Sequence, residues 1–193
     1  MAIGKREWTE AAIAQLAREG VAGIRVELLA RKLKVTKGSF YWHFKDRAEL
    51  LDAVLAEWEA ETDMLLQEAR KQRGAKARLD RFVDLVKAAE GRIPETAIFM
   101  WARQDARIAR RVKRTEQARI AFLTSVLEAM EIAPDEAELR AELAYLAFVG
   151  MADRISRDPS WRERRDYLFG RLVAVFLESP VNVRWTAEFE VEE

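Results

Sequence analysis

The sequence predicts an all-α protein with a small N-terminal helical head on a larger helical body. Three observations carry this. Apolar residues recur at i, i+3, i+4 and i+7 through almost the whole chain. Glycine and proline, 8 and 4 of 193 residues, mostly punctuate the ends of those periodic segments. Half of the residues are apolar, enough to fill a substantial core.

Composition excludes several classes of chemistry. With no cysteine there are no disulfides, thiolate metal sites or cysteine nucleophiles. A single histidine cannot build a His/Cys zinc site within one chain, and no cofactor is expected. The charged start, MAIGKREWTEAAIAQL, lacks the apolar centre of a signal peptide. No uncharged apolar run reaches the ~18 residues that span a bilayer. The expectation is a soluble cytoplasmic protein with no membrane partner. Its net charge of zero hides an asymmetry: residues 1–47 hold 10 Lys/Arg against 5 Asp/Glu, and the remainder holds 23 against 28. A basic head on an acidic body suggests an anionic partner for the head alone.

The elements follow in order. A helix over Lys5–Glu19 places Trp8, Ala12, Ile13 and Leu16 on one face and stops at Gly20. A second, Val26–Leu33, carries Val26, Leu29, Ala30 and Leu33. After the Lys34-Val35 break, Thr36 is placed to cap a third helix reaching His43. A fourth begins at Asp46 or Arg47 and runs through Leu50, Leu51, Val54, Leu55, Trp58 and Leu65 toward Arg70. Beyond Gly74 come helices at 75–90, 94–103 with Pro94 in the first turn, and 105–131. Asp135 reads as the cap of a helix reaching Arg157, and "DPSW" opens the last, to about Leu177. In the tail, Val181, Val183, Trp185, Ala187, Phe189 and Val191 alternate with polar residues, which is strand periodicity. The expected divisions are 1–47, 48–177 and a tail, 178–193, with an extended strand and a disordered terminus as its two readings.

The stretch KVTKGSFYWHFKD, residues 34–46, places four aromatics and the histidine in five consecutive positions. On a helix capped at Thr36, Phe40 and Phe44 share one face and can pack on Leu29, Leu33 and the first helix. Lys37, Tyr41 and Lys45 form an outward stripe beside Gly38 and Trp42. Two short helices, a tight turn and an outward basic-aromatic second helix read as a helix-turn-helix. The alternative is a helical hairpin whose Tyr41, Trp42 and His43 pack on the rest of the protein.

The span Gly20 to Leu55, GVAGIRVELLARKLKVTKGSFYWHFKDRAELLDAVL, also resembles the DNA-binding region of tetracycline-repressor-type (TetR-type) regulators. The resemblance rests on Gly20, the Leu29-Ala30 pair, Val35-Thr36-Lys37-Gly38-Ser39, Tyr41-Trp42-His43-Phe44 and the Lys45-Asp46-Arg47 entry to helix four. Two departures stand out. Arg25 replaces a capping threonine, at a cost of about 1 kcal/mol. Lys34 replaces a turn glycine, costing roughly 1 kcal/mol more. The resemblance implies a recognition helix from Thr36 to His43. Lys37, Gly38 and Trp42 would read base edges in double-stranded operator DNA. Thr36, Tyr41, His43 and Lys45 would hold phosphates, with Arg25 and Arg47 as flanking phosphate contacts.

In the body, the last two long helices are apolar on more than one face and need burial on two sides. One stripe holds Leu139, Leu143, Leu146, Gly150 and Met151, another Ala141, Tyr145, Phe148, Ala152 and Ile155. The resemblance implies a homodimer through these helices and a small-molecule effector pocket. Candidate ligand contacts are Phe82, Val86, Phe99, Trp101, Arg103, Phe122, Tyr145 and Phe148, against the alternative that these are ordinary core. The basic run RIARRVKR, 107–114, reads as a solvated face with Asp105 and Glu116 nearby, or as a second anionic contact.

The function expected is a ligand-responsive regulator, a repressor binding a palindromic operator as a homodimer and released by an effector. A ligand-blind DNA-binding dimer with a solid core is the alternative. A helical-bundle enzyme is a further one, but no phosphate-binding loop, paired-carboxylate metal motif or nucleophile elbow appears, so no catalytic residue is assigned.

Overall fold

A computed structural model describes residues 3–89 and 94–178. Nine α-helices run through them: α1 (Lys5–Glu19), α2 (Val26–Leu33), α3 (Lys37–Tyr41), α4 (Arg47–Arg70), α5 (Ala75–Ala89), α6 (Glu95–Ala102), α7 (Ala106–Glu128), α8 (Pro134–Arg157) and α9 (Arg162–Leu172). Short 3-10 turns at Val21–Gly23 and Pro159–Trp161 link α1 to α2 and α8 to α9, and α9 continues as a π-helical turn, Val173–Glu178. The alternating tail segment, 181–191, lies outside the described residues.

Local chemistry accounts for most helix ends. Gly20 closes α1 with φ 68°, a conformation that favours glycine. At Gly23 an added Cβ would sit 2.5 Å from Glu19 Cβ, so the turn into α2 requires glycine there. Lys34 adopts the left-handed conformation, φ 57° and ψ 39°, at the end of α2. Asp46 caps α4 by accepting from the Glu49 amide at 2.9 Å, and Asp105 caps α7 from Arg107 and Ile108.

Four expectations are corrected. Helix α3 ends at Tyr41, because Phe40 O accepts from both His43 and Phe44 amides and turns the chain toward Asp46. Thr36 holds the N-cap position, but its side chain makes no capping bond. Pro134, not Asp135, opens α8: its fixed φ suits the first helical position, and Asp135 joins Glu136 in the first turn. Helix α7 stops at Glu128, and Glu131 follows with φ 66°.

Two apolar clusters form the core. The upper one joins α1 to α4 with α6 and the start of α7, and includes Trp8, Leu16, Leu29, Phe40, Phe44, Leu55, Trp58, Trp101 and Ile108. Trp8 meets Phe40 edge-on at 5.2 Å, and Phe40 stacks on Phe44 at 5.4 Å. The lower cluster holds Leu66, Leu79, Phe122, Val126, Leu127 and Ala141. Helix α4 contributes to both, so the head has no core separate from the upper body.

The basic run on α7 is a solvated face at Arg107, Arg110, Lys113 and Arg114, but its ion partners differ from the Asp105 and Glu116 expected. Arg107 pairs with Asp52 at 2.7 Å, and Arg111 lies 2.5 Å from Glu59 and 3.3 Å from Asp52. Glu59 and then Asp52 hold the Arg111 guanidinium above its ordinary pKa. The partners are thus on α4, and the run clamps α7 to it. Arg110, Lys113 and Arg114 remain exposed.

Candidate nucleic-acid interface and body cavity

Helices α2 and α3 pack at the Lys34 turn with Phe40 and Phe44 turned inward, which leaves the opposite face of α3 to solvent. Tyr41 is 56% and Trp42 87% exposed, although both belong to the aromatic run. A tryptophan so placed forgoes its large burial energy. Arg25, Thr36, Lys37, Gly38 and Lys45 are exposed as well, and His43 is half-buried.

Two of the candidate cations are engaged within the protein. Lys37 Nζ lies 2.5 Å from Glu27 Oε1 on α2, a pairing that raises the lysine pKa and lowers that of the glutamate. Arg47 donates through Nε to Ile24 O and through Nη2 to Val21 O, each at 2.5 Å. Arg47, itself exposed, therefore secures the α1–α2 connection from the position expected for a flanking phosphate contact.

Gly38 gives a different kind of signal. Its φ is not positive, and an added Cβ would meet one atom, Thr36 Oγ1, at a comfortable 3.7 Å. Glycine in a helix costs about 1 kcal/mol relative to alanine. Nothing among the described residues requires that cost.

The body holds a partly open cavity of about 370 Å³ between α4, α5, α6, α7, α8 and α9. Phe82, Val86, Tyr145 and Phe148 line it, as do Trp58, Leu65, Leu123, Met151 and Leu172. The other four expected ligand contacts lie elsewhere. Trp101 is buried in the upper cluster, and Phe99 packs against that cluster with its ring edge-on to Trp58 at 6.4 Å. Arg103 caps α6 and is exposed. Phe122 is buried in the lower cluster, behind Phe82 at 5.1 Å. Met151 lines the cavity instead of extending the outward stripe on α8.

Sequence reasoning missed the polar end of this cavity. Arg119 is 9% exposed; its Nη2 donates to Thr62 Oγ1 at 2.7 Å and lies 2.5 Å from Glu95 Oε1. Trp58 Nε1 also donates to Glu95 Oε1, at 3.1 Å. Nearby, Tyr145 donates to Glu116 at 3.1 Å; burial, and then the Glu116 charge, push its phenol pKa far up. The signal for Arg119 was present. Ile108, Val112, Thr115, Arg119, Phe122 and Val126 form one inward stripe on α7, and a charge at such a position needs a buried partner.

On the outer face of α8, Leu139, Leu143 and Leu146 are 43%, 39% and 64% exposed, with Gly150 one turn further. Tyr167 and Val175 add apolar surface from α9 and its π-helical continuation.

Residues 9–54 match the family model for bacterial regulatory proteins of the tetR family. This N-terminal segment is a tetR-family DNA-binding region. Over 47 residues, 24% of this chain, it is 43% identical to the HTH-type transcriptional regulator SrpR of Pseudomonas putida, and the match covers 22% of SrpR. The chain thus matches less than a quarter of that curated relative's length. Solved structures extend the likeness of fold to the body. A transcriptional regulator from Rhodococcus sp. RHA1 superposes with a TM-score of 0.74 at 21% identity, over 91% of this chain and 96% of that one. A TetR-family regulator from Marinobacter aquaeolei VT8 gives 0.75 at 12% identity, over 93% of both. Outside this tetR-like segment as within it, no described helix is long and apolar enough to cross a membrane. Among the described residues there is no His/Cys/Asp/Glu group suited to a metal ion.

Proposed function

We propose that this tetR-family protein is a transcriptional repressor that binds a palindromic operator as a homodimer and leaves it when a small molecule fills the body cavity. The observation that carries the DNA reading is the exposed Tyr41-Trp42 pair beside Gly38, a glycine the fold itself does not need. An aromatic face with a bare backbone position beside it suits close approach to a major groove. Lys37, Gly38 and Trp42 read base edges. Thr36, Tyr41, His43, Lys45 and Arg25 hold phosphates, and Arg47 fixes the α1–α2 connection behind them.

The exposed leucines of α8 support dimerisation through α8 and α9. One recognition helix reads few base pairs, and two set about a helical turn apart read both halves of a palindrome. The cavity supports effector binding and disfavours a solid-core protein. Its wall includes Trp58 of α4, the helix whose N-terminus follows the recognition helix, so an occupant is placed to tilt α4 and respace the two heads. Such coupling is typically worth about 1–3 kcal/mol.

The test is selection of bound sequences from random duplex DNA with the purified protein. Recovery of a two-fold symmetric site, bound less tightly as salt rises, is the expected result. Recovery of no sequence preference would remove the proposal.

A further inference from the structure

The polar end of the cavity is built from charges that cancel. Arg119 and Glu95 form an ion pair from α7 to α6, and Thr62 of α4 and the Trp58 indole complete its contacts. The Arg119 guanidinium also lies 5.5 Å from the Trp58 ring and 5.9 Å from that of Phe148. Glu61, on the same wall, is engaged in an interaction of its own. A carboxylate brought here meets Glu95, and an ammonium meets Arg119. Either leaves one uncompensated charge in a desolvated site, which is the costly case.

The pair is nonetheless incomplete. Glu95 Oε2 and Arg119 Nη1 are shielded from solvent and have no hydrogen-bond partner. One atom needs a donor and the other an acceptor. Buried polar atoms of this kind call for a partner. A hydroxyl, phenol or carboxamide supplies both functions in one small group, once the side chains over the pair give way slightly. The opposite end of the cavity is apolar, with Phe82, Leu123, Leu172 and Val173 on its wall. The cations toward α5 and α9 offer little to an anion. Arg165 pairs with Asp166, Lys87 lies over the Phe169 ring, and Arg162 is exposed to screening by salt.

We infer that the cavity selects an uncharged amphipathic molecule whose polar end carries a hydrogen-bond donor and acceptor together, seated at the Arg119–Glu95 pair with its apolar part toward Phe82 and Leu172. The inference rests on the effector-cavity reading above and adds the chemistry of the effector.

Three probes with the same chain and different heads test it: decanol, decanoate and decylammonium. Decanol is titrated below its solubility limit and the two ions below their micelle concentrations, near neutral pH, each followed by tryptophan fluorescence and melting temperature. Decanol is expected to bind at least about tenfold more tightly than either ion. Glu95→Gln leaves Arg119 uncompensated and shifts the preference toward decanoate; Arg119→Gln shifts it toward decylammonium. A wild-type preference for either ion overturns the inference and leaves the cavity reading intact. If no probe changes either signal, the cavity reading falls and the inference with it. Should one variant fail to fold, the wild-type order alone decides.

Discussion

Lys37, the first residue of α3, is tied to Glu27 of α2 at 2.5 Å, so the cation proposed to read DNA is held by the protein itself. Reaching a base or phosphate requires it to let go. Glu27→Gln removes both the competitor and a negative charge beside the groove. The expected outcome is tighter binding to the selected duplex, by up to about fivefold, the range of exposed ion pairs. Fluorescence anisotropy at fixed salt measures it. Unchanged or weaker binding would mean that Lys37 does not face DNA.

Gly38→Ala separates folding from recognition. The methyl has room, and alanine is the better helix former, so the melting temperature should hold or rise. Operator affinity should fall at least about tenfold as the methyl meets the groove, consistent with 1.4 kcal/mol per decade. Equal affinity for the variant would show that no close approach occurs at this position.

Lys34→Gly relieves a left-handed backbone conformation in an exposed residue. Chemical denaturation should show a gain of about 1 kcal/mol with an unchanged m-value. A loss of stability would point to contacts of the lysine stem that outweigh the backbone term.

Leu143→Glu with Leu146→Glu places two charges on the exposed apolar stripe of α8. Each leucine is worth about 1.5–3 kcal/mol when fully buried. Analytical ultracentrifugation should show the proposed dimer dissociating at concentrations at least about tenfold higher than wild type, with the helical circular dichroism retained. An unaltered dimer would move the interface off this face.

Tyr145 gives a prediction in pH. The unfolded chain ionises this phenol near pH 10, whereas the folded protein keeps it neutral well beyond that. Its contribution to stability is therefore complete below about pH 10 and is lost as the pH rises above it. Urea midpoints measured on either side of that pH should fall more steeply for wild type than for Tyr145→Phe. Parallel curves would contradict the buried phenol.

The head was legible because local signals agree there. Trp8, Leu29, Phe40 and Phe44 share faces at helical spacing, Gly20 ends α1, and Asp46 sits at the cap of α4. The end of α3 was not, because Trp42 and His43 continue an aromatic run that suits either a helix or a turn. Sorting the body aromatics required tertiary information. Phe82 and Phe122 touch, yet one lines the cavity and the other lies behind it, a distinction set by the rotation of α5 against α7. Arg119 could have been singled out, since it interrupts an apolar stripe; its partner Glu95 could not, being distant in sequence and only the first residue of α6.

Among the buried residues of the upper cluster, Trp58 is the one that also lines the cavity. The two roles bear differently on attempts to change what the proposed effector cavity accepts. Phe82 and Leu172, which pack on the lower cluster, can be exchanged to reshape the chamber without disturbing the upper cluster beneath α3. An exchange at Trp58 alters both together. A biosensor derived from this scaffold should accordingly accept new effectors through changes at α5 and α9, whereas libraries randomised at position 58 should be dominated by variants that no longer hold DNA at all.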